Sequence, residues 1–490
     1  MKKSNQQVRN SLTYLMATAV ASAMPLIALP FLTRALSKEA FGAWALTMVY
    51  ASVASGLANL GLIIAYERNF FQCEDKRASG RLLYSVSGLV LANLALVAAL
   101  TYVFRVRISE WVVRSPQYGD LVFWTFLATG AVSLKAYFLT YYRNTEDAGT
   151  YARYSVSSTV ISTLTSLTLV CVMRVGPVGL AFGQFTGNSC MLVLLAVKAS
   201  RELMPGWSWG HVGNSLAISL PLTPRLLLKV VGSQFDKYMI GLLATIGGAG
   251  IYSIGQQIGN LVFVFMTSLE NVFAPQVYRR MFDMGEEGGR EIGRYLTPFA
   301  YVSFGVALLV ALFAEEVLFV LTPVSYHGAS DIVSILAVFY GIMFFGKQRQ
   351  MIYAKKTHII ALLSTGYVAL VIALNVPFIL RWGGVGAAWA MLAAGGIYTA
   401  VTFAFAQHYY RIGWEYRKVS GMVALLVAGA TATVGIRAFG MSYLGRLPVK
   451  LALVAIHAWI GVRTGVLGRD NLLLVRDVIA ERIAGRRVSS

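Results

Sequence analysis

The chain has 490 residues, 57% hydrophobic and 13% charged, with mean hydropathy +0.63. A soluble domain is roughly 45–50% apolar and about 25% charged, so an ordinary soluble enzyme, a disordered chain and a secreted disulfide scaffold are excluded. The net charge of +20 sits in short segments between apolar runs, which points to membrane topology and lipid headgroups rather than nucleic acid.

Apolar runs of about 18 residues or more predict fourteen transmembrane helices. In chain order they are 12–33, 41–65, 82–104, 119–142, 155–173, 177–197, 213–234, 238–268, 295–321, 331–353, 357–380, 384–407, 419–438 and 448–466. The fold class is all-α integral membrane. The runs are continuous rather than alternating, which argues against a β-barrel. The opening MKKSNQQVRN and the run behind it read as a signal anchor: Ala21-Ser22-Ala23 resembles a cleavage site, but apolar sequence continues to Leu32. The Ser/Thr content of 155–173 predicts a face packed on protein. Residues 469–487 read as a short basic amphipathic helix.

A cytoplasmic N-terminus places 28 Lys and Arg inside and 11 outside, so both termini are expected in the cytoplasm of a multi-pass inner-membrane protein. Trp207, Trp209 and Trp414 then anchor the inner interface, and Trp111 and Trp382 the outer. Cys73, Cys171 and Cys190 are scattered, so neither a disulfide framework nor a metal site is expected, and no cofactor is predicted.

The sequence resembles itself at an offset of about 207 residues. Arg174-Val-Gly-Pro-Val-Gly-Leu-Ala matches Arg381-Trp-Gly-Gly-Val-Gly-Ala-Ala, and Phe41-Gly42-Ala-Trp44 matches Ala249-Gly250-Ile-Tyr252. Asn10-Ser11-Leu12 returns as Asn214-Ser215-Leu216, and Pro25 and Pro30 as Pro221 and Pro224. Each half holds six spans, so the halves are parallel repeats. The expected organisation is an N-lobe over 1–206, a C-lobe over 207–413, and two extra helices with a basic tail over 414–490. Two such lobes predict a central cleft of alternating access, with proline-interrupted first helices free to bend.

Three cations fall inside spans: Lys135, and Arg225 with Lys229 four residues apart on one helical face that Gly232 and Asp236 continue. Each costs about 2.5–3.5 kcal/mol at a helix centre unless a cavity or a partner receives it. Acidic residues inside spans are scarce, so an anionic ligand is predicted. Uncharged stripes accompany them: Ser52, Ser55 and Asn59; Gln256, Asn260, Thr267 and Asn271; Gln184 and Asn188. Amides and hydroxyls suit sugar hydroxyls, although each also serves as an interhelical hydrogen bond. Asp236 is the candidate for coupling to a cation. The substrate-binding candidates are Arg225, Lys229, Lys135, Asn59, Gln256 and Asn260, with no catalytic residue and no metal. The pairs Glu74-Asp75 and Glu146-Asp147 read as solvated loops, and no phosphate-binding glycine loop is present.

The segments Pro30-Phe31-Leu32-Thr33-Arg34 and Glu39-Ala-Phe41-Gly42 resemble the opening of the polysaccharide-biosynthesis flippases, the Wzx-type transporters. Ser219-Leu-Pro221-Leu, Phe235-Asp236-Lys237-Tyr-Met-Ile-Gly241 and Gly250-Ile-Tyr252-Ser are similar to that family's second half. The glycine turns Val175–Gly179 and Gly383–Gly386 resemble those before its sixth and twelfth helices. The resemblance spans about residues 8–415. The superfamily also holds multidrug extruders and the lipid II flippase. It implies a twelve-helix, two-lobe core with two further helices, and a flippase that moves an undecaprenyl-diphosphate-linked O-antigen or exopolysaccharide unit across the inner membrane. It further implies a monomer that meets membrane lipids, the anionic lipid-linked oligosaccharide, and polymerase or export machinery. The alternative is a cation-coupled multidrug or metabolite antiporter of the same superfamily. A membrane glycosyltransferase ranks lowest, since Glu315-Glu316 is the sole outer acidic pair and the outer loops are short.

Overall fold

The computed structural model describes residues 2–347, 349–466 and 468, with side chains at all of these except 2–9, 11, 12, 15, 229, 272 and 438. The expected amphipathic tail at 469–487 lies outside the described residues. The first half contains α1 (Lys2–Ala35), α2 (Lys38–Asn59), α3 (Leu62–Phe70), α4 (Lys76–Val112), α5 (Gly119–Asn144), α6 (Ala148–Leu167) and α7 (Pro177–Glu202). Then come α8 (Trp209–Leu243), α9 (Ile246–Met284), α10 (Gly288–Leu312), α11 (Ala314–Leu321), α12 (Ala329–Ile342) and α13 (Arg349–Tyr353). The chain closes with α14 (Thr357–Tyr409), α15 (Tyr416–Ala438) and α16 (Tyr443–Arg463). No strand occurs among the described residues.

Local chemistry sets several boundaries. Ser37, Asp75 and Asp147 cap α2, α4 and α6 by accepting from Ala40, Ala78 and Thr150 amides at 3.2, 2.6 and 2.9 Å. Both acidic pairs expected to be loop residues therefore contribute a cap. The α2–α3 break passes through Leu60 and Gly61, both at positive φ (51° and 67°). The turn expected at 235–237 is absent: α8 runs through it to Leu243, and Thr245 Oγ1 accepts from the Gly248 amide at 2.9 Å to start α9. Asp236 and Lys237 had the polarity of an interface, yet Asp236 is buried.

Among the described residues, twelve helices are long and apolar enough to cross a membrane, or thirteen with the bent α9 taken as one span. Fourteen were expected. The spans predicted at 357–380 and 384–407 are both present, as two helices that meet at a kink at Gly383 within α14, which is counted once among the twelve. Gly383 has φ 57° and ψ −133°, and Gly176, at the repeat-equivalent position before α7, has φ 76° and ψ −155°. Two L-residues could not share that conformation without strain, so the sequence repeat is also a repeat of backbone geometry. The expected span 295–321 is likewise divided: α10 ends at Leu312, and α11 is a separate short helix beyond it.

The chain forms two compact units. The first takes the described residues up to Gly250 together with Leu321–Pro323, and the second takes the others from Ile251 onward. In the first unit Leu82, Leu83, Val86, Phe126 and Tyr137 form a fully buried core, and α8 packs on α2, α3 and α4. Lipid gives helices little hydrophobic reason to associate, so close approach between small residues carries the packing. A Cβ on Gly183 would lie 2.4 Å from the Ser166 amide nitrogen, and one on Gly187 2.3 Å from Ser162 Oγ. Ser158, Ser162 and Ser166 are buried at this α6–α7 seam, as the Ser/Thr-rich stripe predicted. The repeat mates Gly42 and Gly250 also meet: a Cβ on Gly42 would fall 1.9 Å from the Ile246 carbonyl oxygen.

In the second unit α10 and α12 are central, with 67% and 72% of their apolar stretches buried, against 11% for α14 and α16. The last two helices are fastened by charge. Lys450 on α16, 2% exposed at its side chain, meets Glu315 at 2.9 Å and Glu316 at 2.8 Å, and Arg446 meets Glu315 at 2.7 Å. Arg437 on α15 meets Asp331 of α12 at 3.3 Å.

Candidate functional site

The first unit supplies the polar positions along α8. Ser215, Ser219 and Thr223 form the face seated on α2–α4. Ser215 Oγ accepts from Asn69 Nδ2 at 3.1 Å, and Thr223 Oγ1 donates to the Leu60 and Ser219 carbonyls at 2.8 and 2.9 Å. Pro221 and Pro224 each remove one intrahelical hydrogen bond at this level. Arg225 follows at once, and its side chain is exposed, with no ion pair among the described residues. Position 229 lies one turn further along the same face, with its side chain outside the described residues. Asp236, two turns on, is 2% exposed.

Lys135 has a different setting. It lies on α5, 8% exposed, at the junction with α6 and α7. Its ammonium donates to Ser158 Oγ and, at 2.6 Å, to Asn188 Oδ1. Ser158 Oγ lies 3.0 Å from Asn188 Oδ1, and Asn188 Nδ2 donates to the Gln184 carbonyl at 2.7 Å. Asn59 bridges α2 to α5: its Nδ2 donates to Ser133 Oγ at 2.8 Å and its Oδ1 accepts from Tyr137 at 2.9 Å. No described contact joins Lys135 or Asn59 to Arg225. The pairing of Asn188 with Ser158 across two helices was not evident from the sequence, although the Gln184/Asn188 stripe and the serine stripe each marked one side of it.

In the second unit Gln256 and Asn260 lie one turn apart on α9, half-buried, with no hydrogen bond among the described residues. Further along α9 a 43° bend falls between Asn271 and Phe273. Glu270, beside this bend, pairs with Lys347 at 2.5 Å and with Arg349, at the break between α12 and α13. Sequence reading missed this triad, in which Glu270 lies 77 and 79 positions from its two partners. Glu315-Glu316, weighed as a catalytic pair, is occupied by Lys450 and Arg446. Burial pushes the Glu315 carboxyl up, but its hydrogen bond to Lys450 and the charges of Lys450, Arg437 and Arg446 outweigh that and leave it below its usual range. No cluster of His, Cys, Asp or Glu among the described residues could hold a metal ion.

A family model described as "Polysaccharide biosynthesis protein" matches residues 31–331. Among solved structures, "Lipid II flippase MurJ, inward closed conformation" aligns over 92% of this chain and 99% of that chain, with TM-score 0.71 and 14% identity. An inward-facing multidrug resistance MATE family transporter of the MOP superfamily aligns over 83% of this chain and 98% of its own, with TM-score 0.58 and 14% identity. A mutant form of the Vibrio cholerae MATE transporter VcmN covers 83% of this chain and 96% of its own, with TM-score 0.54 and 13% identity. At such identities the likeness is one of fold. Sequence comparison with curated proteins gives no match.

Proposed function

The chain belongs to the polysaccharide biosynthesis protein family, and from that premise we propose that it flips an undecaprenyl-diphosphate-linked oligosaccharide, an O-antigen or exopolysaccharide unit, across the inner membrane. The observation that carries the reading is Arg225: an exposed guanidinium within a predicted span, beside two prolines that lie inside α8, with no acid partner among the described residues. A cation at that depth calls for water or an anion. A diphosphate headgroup supplies charge that guanidinium can bind bidentately. Arg225 and Lys229 hold the diphosphate, and Lys135 adds to the positive field. Asn59, Gln256 and Asn260 offer amides to the glycan, the lipid tail stays in the bilayer, and the site opens to one membrane face at a time. Both termini lie in the cytoplasm, and the protein works as a monomer that hands its cargo to polymerase or export machinery.

Replacing both cations, Arg225→Gln with Lys229→Gln, abolishes surface glycan display while the protein is still made and inserted. Normal display in that double variant rejects the assignment. A second reading, cation-coupled antiport, is favoured by the buried carboxylate of Asp236. Under it, Asp236→Asn abolishes export of a multidrug or metabolite substrate, and a cell lacking the protein gains drug sensitivity while keeping its surface glycan.

A further inference from the structure

We infer that Lys135 is the proton-carrying group of this transporter, charged in one part of the cycle and neutral in another, with Ser158 and Asn188 as the pair that stabilises both states. The inference rests on the flippase reading above and adds an energy source to it.

The argument starts from placement. A lysine that is 8% exposed within a membrane span is an expensive cation unless a carboxylate offsets it. Its described partners are neutral oxygens, one hydroxyl and one amide. The elements packed on α5 bring no opposing charge at mid-membrane. Residues 46–55 of α2, 86–98 of α4, 155–166 of α6 and 180–192 of α7 contain no Asp, Glu, His, Lys or Arg. Besides charged residues toward the helix ends, the titratable groups on the packed helices include Tyr50, bonded to Thr101 at 2.6 Å; Tyr84, bonded to the Ala196 carbonyl at 3.2 Å; Tyr102; Tyr151; Tyr154, one turn before Ser158; the exposed Cys190; and Tyr66 on α3. On α5 itself Tyr137 is bonded to Asn59. The Glu67–Arg143 pair, at 2.8 Å, lies at the helix end, two turns beyond Lys135.

The partners suit both protonation states. With the ammonium present, Lys135 donates to Ser158 Oγ and Asn188 Oδ1, and the Ser158 hydroxyl donates to Asn188 Oδ1. When the ammonium loses a proton to water, the nitrogen keeps the electron pair. The Ser158 hydroxyl then rotates to donate to that lone pair, while an amine N–H remains on Asn188. A hydroxyl both donates and accepts, so discharge strands no buried polar atom. A carboxylate partner would instead have been left unpaired.

The test uses full-length protein in proteoliposomes with a fluorescently labelled undecaprenyl-diphosphate saccharide as the probe. Equilibration of the probe between leaflets without a gradient reads the flippase itself. Its steady-state distribution under an imposed pH gradient reads the coupling. One proton per cycle shifts the wild-type distribution about tenfold per pH unit, and inverting the gradient inverts the shift. Lys135→Met, always neutral, and Lys135→Arg, always charged, equilibrate the probe at a reduced rate, and at steady state, which does not depend on that rate, both lose the shift. If Lys135→Met does not insert, Lys135→Arg carries the test. Retention of the shift in Lys135→Arg overturns the inference and leaves the flippase reading intact. Failure of the wild type to equilibrate the probe overturns both.

Discussion

The two units stabilise their polar interiors in opposite ways. In the first, most of the buried polar residues are amides and hydroxyls, Lys135 is held by neutral oxygens, Asp236 is a buried carboxylate, and the ion pairs given lie at exposed helix ends such as Lys38–Glu39 and Arg105–Asp120. In the second, buried or half-buried ion pairs join helices far apart in sequence: Glu270 with Lys347 and Arg349, Asp331 with Arg437, and Glu315 and Glu316 with Lys450 and Arg446. A buried ion pair is costly to break one partner at a time and cheap to replace whole, whereas a neutral network changes charge state without losing its bonds.

The contrast is broken hardest by Lys450→Met, which leaves Glu316 without its cation and Glu315 with Arg446 alone. It costs about 3 kcal/mol, the low end for a severed buried pair because Glu315 keeps Arg446 and both carboxylates are about one-fifth exposed. Thermal unfolding in lipid nanodiscs measures it, and adding Glu315→Gln and Glu316→Gln to the same chain restores most of the loss. Glu270→Gln leaves Lys347 and Arg349 facing each other at the α9 bend and costs about 2 kcal/mol by the same reasoning. Hydrogen exchange over 273–284 quickens in that variant. Gly187→Val sharpens the comparison from the other side. The first unit depends on backbone proximity at the α6–α7 seam, and overpacking there costs about 1–2 kcal/mol with no dependence on salt. The smallest effect is acid sensitivity. The Glu315 carboxyl is depressed in the folded protein, so its contribution is complete above the unfolded value of about 4.3 and is lost as pH falls through the folded value. A melting-temperature titration below about pH 4.5 shows this loss in wild type and not in Glu315→Gln.

Most of the architecture was legible because membrane helices announce themselves by length and composition, and because a glycine that must adopt positive φ leaves a mark at a fixed offset. Gly176 and Gly383 were readable in that way. The α8–α9 boundary was not, since Asp236-Lys237 has the polarity of an interface and only tertiary packing reveals that Asp236 is buried. The acidic pairs before α4 and α6 were read as loop residues because a cap and a solvated loop share a composition. Of the site, the cations were legible but their surroundings were not. Whether Lys135 meets a carboxylate or an amide depends on how α5, α6 and α7 rotate about their axes, which side-chain spacing within any one helix does not determine.

The paired torsions at Gly176 and Gly383 carry a consequence of their own. No heavy atom lies within 4 Å of a Cβ built at either position, so room is not what demands glycine there. Handedness is. The torsions at both turns are ones that a mirror-image alanine, introduced by chemical ligation, favours and that its natural counterpart adopts only with strain. The likeness between the two turns is thus one of chirality as well as of letters.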